Sequence, residues 1–181
     1  RTLEIAKNFQ KKITSNRVII KNGPQLGFVN NFLHLACDKN FFSDFYCFSD
    51  QDDIWMPKKL EAGINAISGE KNEDQAIMYG GRTIYINEED QLIDRSPLFN
   101  KEKTFKNAII QSVVGGNTII FNNATKNILE QIGVQEIVSH DWWLYQIVSG
   151  VGGKVIYDET PYVKYRQHSE ALIGGNRSFF S

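Results

Sequence analysis

The spacing of apolar residues changes along the chain between helical and strand periods, and these changes predict the order of elements. One buried helical face is predicted over about residues 25–39, where four apolar residues recur at spacings of three and four: Leu26, Val29, Leu33 and Ala36. The run FYCFS at 45–49 is apolar on both faces, which is typical of a central strand covered by helices on each side. Similar patterns predict helices over 2–12, 57–67, 104–111, 123–132 and from 140 onward, and strands over 17–21, 75–87, 91–95, 117–121, 154–158 and 161–166.

Helices alternate with short strands in this order, which predicts an α/β protein with a largely parallel central sheet and some antiparallel pairing in its middle. A length of 181 residues favours one domain over 1–181. The net charge of −1 argues against a surface built to bind nucleic acid. Two cysteines, Cys37 and Cys47, lie in apolar runs that predict core positions in a reduced protein. No apolar stretch is long enough for a membrane span, so we expect a cytoplasmic protein, with peripheral membrane association as a weaker expectation.

An acidic loop follows the predicted strand at 45–49. Asp50, Asp52 and Asp53 lie within four residues, and ligands of open α/β sheets bind outside the carboxyl ends of strands. Carboxylates this close repel one another unless a cation offsets their charge. Their hard oxygen atoms suit Mg²⁺ or Mn²⁺, which can in turn hold a diphosphate. The same spacing is compatible with a solvated acidic turn that caps the next helix.

A second candidate is the segment SHDWW at 139–143, where a helix is predicted to begin. Partial desolvation beside Trp142 and Trp143 would make Asp141 a better proton acceptor, whereas the amides of the helix N-terminus act in the opposite direction. The alternative is that Asp141 or Ser139 caps the helix and both tryptophans only pack.

Two weaker candidates lie at a glycine pair and at the last predicted strand. Gly116 and Asn117 follow Gly115 in a segment that would bring backbone close to a ligand, although such pairs also form plain turns. At the strand end, Arg166 would bind phosphate oxygens and His168 would ligate a metal, although a lone histidine there is commonly a surface residue. Walker, GxGxxG, HExxH and paired CxxC motifs are missing from the sequence.

Several motifs in a fixed order resemble the family 2 inverting glycosyltransferases, most closely the rhamnosyltransferase-like bacterial members. The motifs begin with N…LGF…NF over 22–32 and continue with FSDQDDIW at 48–55, PKKLE at 57–61, GGNTIIFN at 115–122, HDWWL at 140–144 and YRQHSEALIG at 165–174. The resemblance covers about residues 2–174. It implies a GT-A fold, a three-layer α/β/α sandwich with a mostly parallel central sheet. It also implies transfer of a sugar, rhamnose or a hexose, from a nucleotide diphosphate to a hydroxyl of a glycan or lipid-linked acceptor, with inversion.

The resemblance also implies roles for individual residues. Asp50 and Asp52 match the family's DxD motif and would hold Mg²⁺ or Mn²⁺ with His168, while Asp141 matches the general base. Donor binding is assigned to Asp50, Asp52, Asp53 and Arg166, and acceptor binding to Trp142, Trp143, Gly116 and Asn117.

The sequence departs from the family at two places. His140 stands where the family has Glu before the base, and its role is left open. The family's first strands, which bind the nucleotide base, do not precede Arg1, so we expect an N-terminally truncated domain that is inactive alone if the donor site needs them.

Two other functions remain as alternatives. The acidic loop also suits a haloacid-dehalogenase-like, Mg²⁺-dependent phosphohydrolase, but that family has Thr or Val where Ile54 stands here. The second alternative is a module that binds a sugar nucleotide without catalysis.

Overall fold

The structure is a computed structural model that describes residues 2–13, 18–72 and 74–167. The described residues form helices α1 (Thr2–Lys12), α2 (Phe28–Ala36), α3 (Lys59–Ser68), α4 (Phe105–Ile110), α5 (Asn123–Ile132) and α6 (His140–Gly150). Their strands are β1 (Phe45–Cys47), β2 (Ile54–Trp55), β3 (Ile77–Gly81), β4 (Ile84–Ile86), β5 (Leu92–Arg95), β6 (Ile120–Asn122), β7 (Lys154–Asp158) and β8 (Val163–Arg166). The predicted α/β class is confirmed.

The described strands form two mixed sheets, in the orders β1-β6-β3-β7 and β2-β8-β4-β5. Only the pairs β3–β7 and β4–β8 are parallel, and the other four pairings are antiparallel. The expected mostly parallel pairing is therefore not confirmed. In the first sheet the cause is β6, which lies between β1 and β3 and is antiparallel to both. The GT-A assignment stays a prediction.

The first sheet is covered on both faces because successive residues of β3 point to opposite sides. Ile77 and Tyr79 belong to an apolar cluster with Ile67 of α3, and Gly63 lets that helix approach closely because a Cβ there would lie 2.5 Å from Ile120 Cδ1. Met78 faces the larger cluster, to which α5 and α6 contribute. Its most buried members are Met78, Ala108, Ile119, Phe121, Leu129, Leu144, Tyr145 and Val148.

The element boundaries differ from prediction where tertiary pairing or backbone geometry decides them. The predicted strand at 17–21 is wrong for the described residues 18–21, which have no strand partner, and Ile19 is exposed. Helix α2 is shorter than the predicted 25–39: it begins at Phe28 because Gln25 and Gly27 have positive φ angles of 59° and 90°, and it ends at Ala36. The predicted strand at 75–87 is divided into β3 and β4.

Strand β1 also differs from prediction. It is an edge strand among the described residues, not a central one, and Cys47 is exposed while Cys37 is half-buried. The prediction that both cysteines lie in the core is therefore wrong for Cys47.

No helix in the described ranges combines the length and the apolar character that a bilayer crossing requires.

Candidate active site

The direction of β6 brings the two main sequence candidates to one edge of the first sheet. Cys47 pairs with Ile120 in antiparallel register, so the residues that follow β1 lie beside those that precede β6. The acidic loop at 50–53 therefore meets the turn at 115–118, which contains a short 3-10 helix over Gly116–Thr118. Strand β8 ends at the same place, because the backbone N–H of Arg166 donates to Asp53 Oδ1 over 3.1 Å.

Asp53 ties these three segments together. Its Oδ2 accepts a close hydrogen bond from the Asn117 side-chain amide, and its Oδ1 accepts the bond from Arg166. Burial raises the pKa of Asp53 above its usual range, while the hydrogen bonds from Asn117 and Arg166 oppose that rise. Since both carboxylate oxygens already accept bonds from protein, Asp53 serves to fix the shape of the loop.

Arg166 fastens the acidic loop to the turn between β4 and β5. Its Nε donates to the carbonyl of Asp52 over 3.0 Å, and one terminal nitrogen donates to the carbonyls of Asn87 and Glu88 over 3.0 and 3.1 Å. The other terminal nitrogen lies 2.7 Å from a carboxylate oxygen of Asp90. The planar, multidentate guanidinium suits this bridging role. The predicted contact of Arg166 with donor phosphate stays a prediction.

Asp141 lies in the first turn of α6 and has both carboxylate oxygens oriented. Oδ2 accepts from the backbone N–H of Gly116 over 2.9 Å. Oδ1 accepts from the hydroxyl of Ser139 and from the backbone N–H of Trp142, the latter over 2.8 Å. A carboxylate held from two directions keeps one orientation, which a general base requires.

The two tryptophans beside Asp141 are half-buried and pack against the larger core cluster. Trp142 Nε1 donates to the carbonyl of Ala108 over 2.6 Å, which ties α6 to α4. Trp143 Nε1 is buried without a hydrogen-bond partner among the described residues. Their predicted contact with the acceptor stays a prediction.

Negative charge accumulates at this edge of the sheet. The pKa of Asp50 is raised to about 6, first by burial and then by the carboxylates of Asp53, Asp52 and Asp141. The pKa of Tyr165 is raised to about 12, first by burial and then by the loop carboxylates of Asp53, Asp50 and Asp52. Asp50 and Asp141, 91 positions apart in the sequence, therefore share one electrostatic environment. Tyr165 was not predicted as a site residue from the sequence, although it immediately precedes Arg166 in the segment YRQH.

The charge and the oxygen chemistry of the loop suit a hard cation, but the described side chains do not form a complete metal site. No group of three or more His, Cys, Asp or Glu side chains in the described ranges is arranged to hold a metal ion. Asp50 and Asp52 lie on the acidic loop, whereas His168 lies outside the described residues. The metal site stays a prediction.

Lys59, the first residue of α3, lies in the PKKLE segment, but no role was predicted for it from the sequence. Its side chain is 1% exposed, and its Nζ lies 3.4 Å from the centroid of the Trp55 ring. Burial lowers its pKa to about 8, while Cys47 and Asp53 act weakly in the opposite direction. Lys59 lines a small cleft together with Tyr79 and Thr118. Nothing in the sequence around Lys59 predicted that its side chain would be buried.

No protein-family model matches the chain. It is similar to the dTDP-rhamnosyl transferase RfbG of Shigella flexneri, with 28% identity over 188 residues that cover 98% of this chain. The similarity indicates a relationship to glycosyltransferases. The chain spans 62% of the length of that relative.

Proposed function

We propose that this chain forms the catalytic site of an inverting glycosyltransferase that moves a sugar from a nucleotide diphosphate to an acceptor hydroxyl. The observation that carries the proposal is the convergence of Asp50 and Asp141 on one sheet edge, where Asp141 is held by the Gly116 N–H. The similarity to a dTDP-rhamnosyl transferase supports dTDP-rhamnose as the first donor to test. A UDP-hexose is the second.

Asp141 acts as the general base in this proposal. Its carboxylate takes the proton of the acceptor hydroxyl while that oxygen forms a bond to the anomeric carbon. The bond between the anomeric carbon and the diphosphate breaks at the same time, and its electron pair leaves with the diphosphate. The bonds from Gly116, Ser139 and Trp142 keep the carboxylate oriented. Attack on the side opposite to the leaving group inverts the anomeric configuration.

Asp50 and Asp52 would hold Mg²⁺ or Mn²⁺, with His168 as a further ligand. The fit rests on the oxygen ligands that the acidic loop offers, and on the raised pKa of Asp50, whose ionised form is disfavoured first by burial and then by its like-charged neighbours. A bound divalent cation would supply positive charge next to the departing diphosphate. Asp53 and Arg166 keep the acidic loop in place for the donor through the contacts described above.

The acceptor would be a glycan or a lipid-linked saccharide in contact with Trp142, Trp143, Gly116 and Asn117. The tryptophans offer apolar area for a sugar ring, and the glycine leaves room for close approach. We further propose a cytoplasmic location, because the nucleotide donor is a cytoplasmic metabolite class. The similarity does not favour the phosphohydrolase alternative.

The test is a comparison of wild type with Asp141→Asn, both as the full-length protein, using dTDP-rhamnose and Mn²⁺. We expect wild type to release dTDP, with water or an added saccharide as the acceptor, and the variant to be slower by about 10² to 10⁴. Asn cannot accept the proton, but it keeps the size of the side chain. Calorimetry with dTDP should show that the variant retains donor binding.

Ser139→Ala is the matched control, because it removes one hydrogen bond to Asp141 and leaves the carboxylate in place. We expect it to lose less than about tenfold in rate, in line with one hydrogen bond. Release of phosphate from p-nitrophenyl phosphate instead of dTDP would favour the phosphohydrolase. Binding of dTDP-rhamnose without turnover would favour the non-catalytic module, and an active Asp141→Asn protein would refute the role of the base.

A further inference from the structure

His140, whose role the family resemblance leaves open, is enclosed by aromatic rings. Its side chain is 6% exposed. The imidazole stacks on Phe32 with ring centroids 4.3 Å apart, and it meets the edges of Phe48 and Phe28 at 4.7 and 6.1 Å. We refer to Phe28, Phe32 and Phe48 as the phenylalanine cage. The enclosure comes from α2 and from the residue after β1, so the ring is fixed by elements that converge on the site.

The two ring nitrogens of His140 make no use of their hydrogen-bonding capacity within the described residues. Both are buried, and neither has a partner there. Burial lowers the pKa of His140, and the neighbouring Asp141 carboxylate opposes this only in part, so the ring is neutral at pH 7. An unpartnered polar ring in an apolar cage reduces stability. Hydrogen bonding therefore does not account for a histidine at this position, and the shape of the ring and its contacts remain to explain it.

The ring is in close contact with Gly116. A Cβ added to that glycine would lie 2.6 Å from His140 Nε2 and 3.1 Å from Cε1, whereas Asp141 Cβ would be 3.6 Å away. The N–H of Gly116 is the donor to Asp141 Oδ2. His140 thus contacts the residue that orients the neighbouring carboxylate, and a six-membered ring at the same place would reach further into Gly116.

We propose that His140 is a positioning residue: its five-membered ring, fixed by the phenylalanine cage, supports Gly116 so that the Gly116 N–H stays on Asp141. This rests on the proposed function only for the role of Asp141 as base. The geometric part, in which the His140 ring supports the hydrogen bond from Gly116 to Asp141, depends only on the observed contacts.

The geometric part is tested by hydrogen exchange of the Gly116 amide, followed by NMR on the whole protein. In His140→Ala the amide should exchange about five- to tenfold faster than in wild type, after normalisation to core amides that follow global unfolding. Leu144→Ala is the matched control, because it opens a cavity one turn further along α6 at a residue that is 1% exposed. It should leave the normalised rate unchanged. Equal normalised rates in wild type and His140→Ala would overturn the proposal.

The functional part is tested with a substitution of Gly116, the residue that His140 contacts, because adding a methyl group there leaves no cavity. Gly116→Ala should slow dTDP release from dTDP-rhamnose by about 10²-fold, because the new Cβ displaces the turn against His140. In a His140→Ala background, where the clash is removed, the factor by which Gly116→Ala slows dTDP release should be at least about ten times smaller. A purely structural role would not produce this rescue, and additive effects of the two changes would refute the coupling. An inactive wild type would refute the proposed function instead, while the exchange experiment would still decide the geometry.

Discussion

Replacing Asp50 by Asn should stabilise the folded protein at neutral pH and weaken its metal-dependent binding of a nucleotide diphosphate. No hydrogen bond within the described part of the chain ends on the Asp50 carboxylate, so the change to Asn breaks no side-chain hydrogen bond there. The substitution removes the charge that burial and three neighbouring carboxylates disfavour, and it keeps the shape of the residue. If the Asp50 charge serves binding at the expense of stability, its removal should make the protein more stable and less able to bind.

The sign and size of the effect follow from the pKa of Asp50. Its value rises from 3.8 to about 6 on folding, so the folded state binds more protons than the unfolded chain between these values. The free energy of unfolding therefore falls as pH rises through this window. The full shift corresponds to about 3 kcal/mol at pH 7. Because the carboxylate is only partly buried, solvent screening reduces the expected gain for Asp50→Asn to about 1–2 kcal/mol.

Urea denaturation at pH 7.5 and at pH 3.5 measures this difference. The variant should be more stable than wild type at pH 7.5 and nearly equally stable at pH 3.5, where the Asp50 carboxyl is mostly protonated in both the folded and the unfolded state. Asp44→Asn, at an exposed position just before β1, is the control and should change neither value. Added Mn²⁺ should raise the Tm of wild type more than that of Asp50→Asn. A variant that is less stable than wild type at pH 7.5 would refute the electrostatic reasoning.

Three further substitutions test other parts of the structure. Arg166→Lys should weaken dTDP binding by about tenfold in calorimetry, because one ammonium cannot replace a guanidinium that bridges two segments; unchanged affinity would show that the bridge is dispensable. Asn122→Ala should lower the free energy of unfolding by about 3 kcal/mol in urea, since Asn122 Oδ1 accepts from the backbone N–H groups of Ile77 and Thr125; a loss below about 0.5 kcal/mol would contradict this. The pKa of Lys59 is lower in the folded protein than in the unfolded chain, so the unfolded chain binds more protons between pH 8 and 10 and the wild type becomes more stable as pH rises. Lys59→Met should remove this gain in stability. The same pH profile of stability in both proteins would count against the shift.

Local patterns predicted those elements whose ends are decided within a few residues. Helix α5 and strand β7 have the predicted ranges of 123–132 and 154–158. Asn122 caps α5 by accepting from the N–H of Thr125, and Gly133 follows the helix with a φ of 73°. Capping and turn residues act on their immediate neighbours, so they can be recognised in the sequence. The predicted strand at 17–21 is wrong for the described residues 18–21, because β-branched residues form a strand only where a partner strand exists.

The sequence by itself determined the chemical groups of the candidate site: an acidic loop after an apolar strand, and an aspartate at the start of an apolar helix. Tertiary structure alone decided how these groups are joined. The bond from Asn117 to Asp53 and the bond from Gly116 to Asp141 depend on β6 running antiparallel beside β1. Strand order and direction arise from packing between segments that are far apart in the chain, and the period of one segment carries no information about its partner.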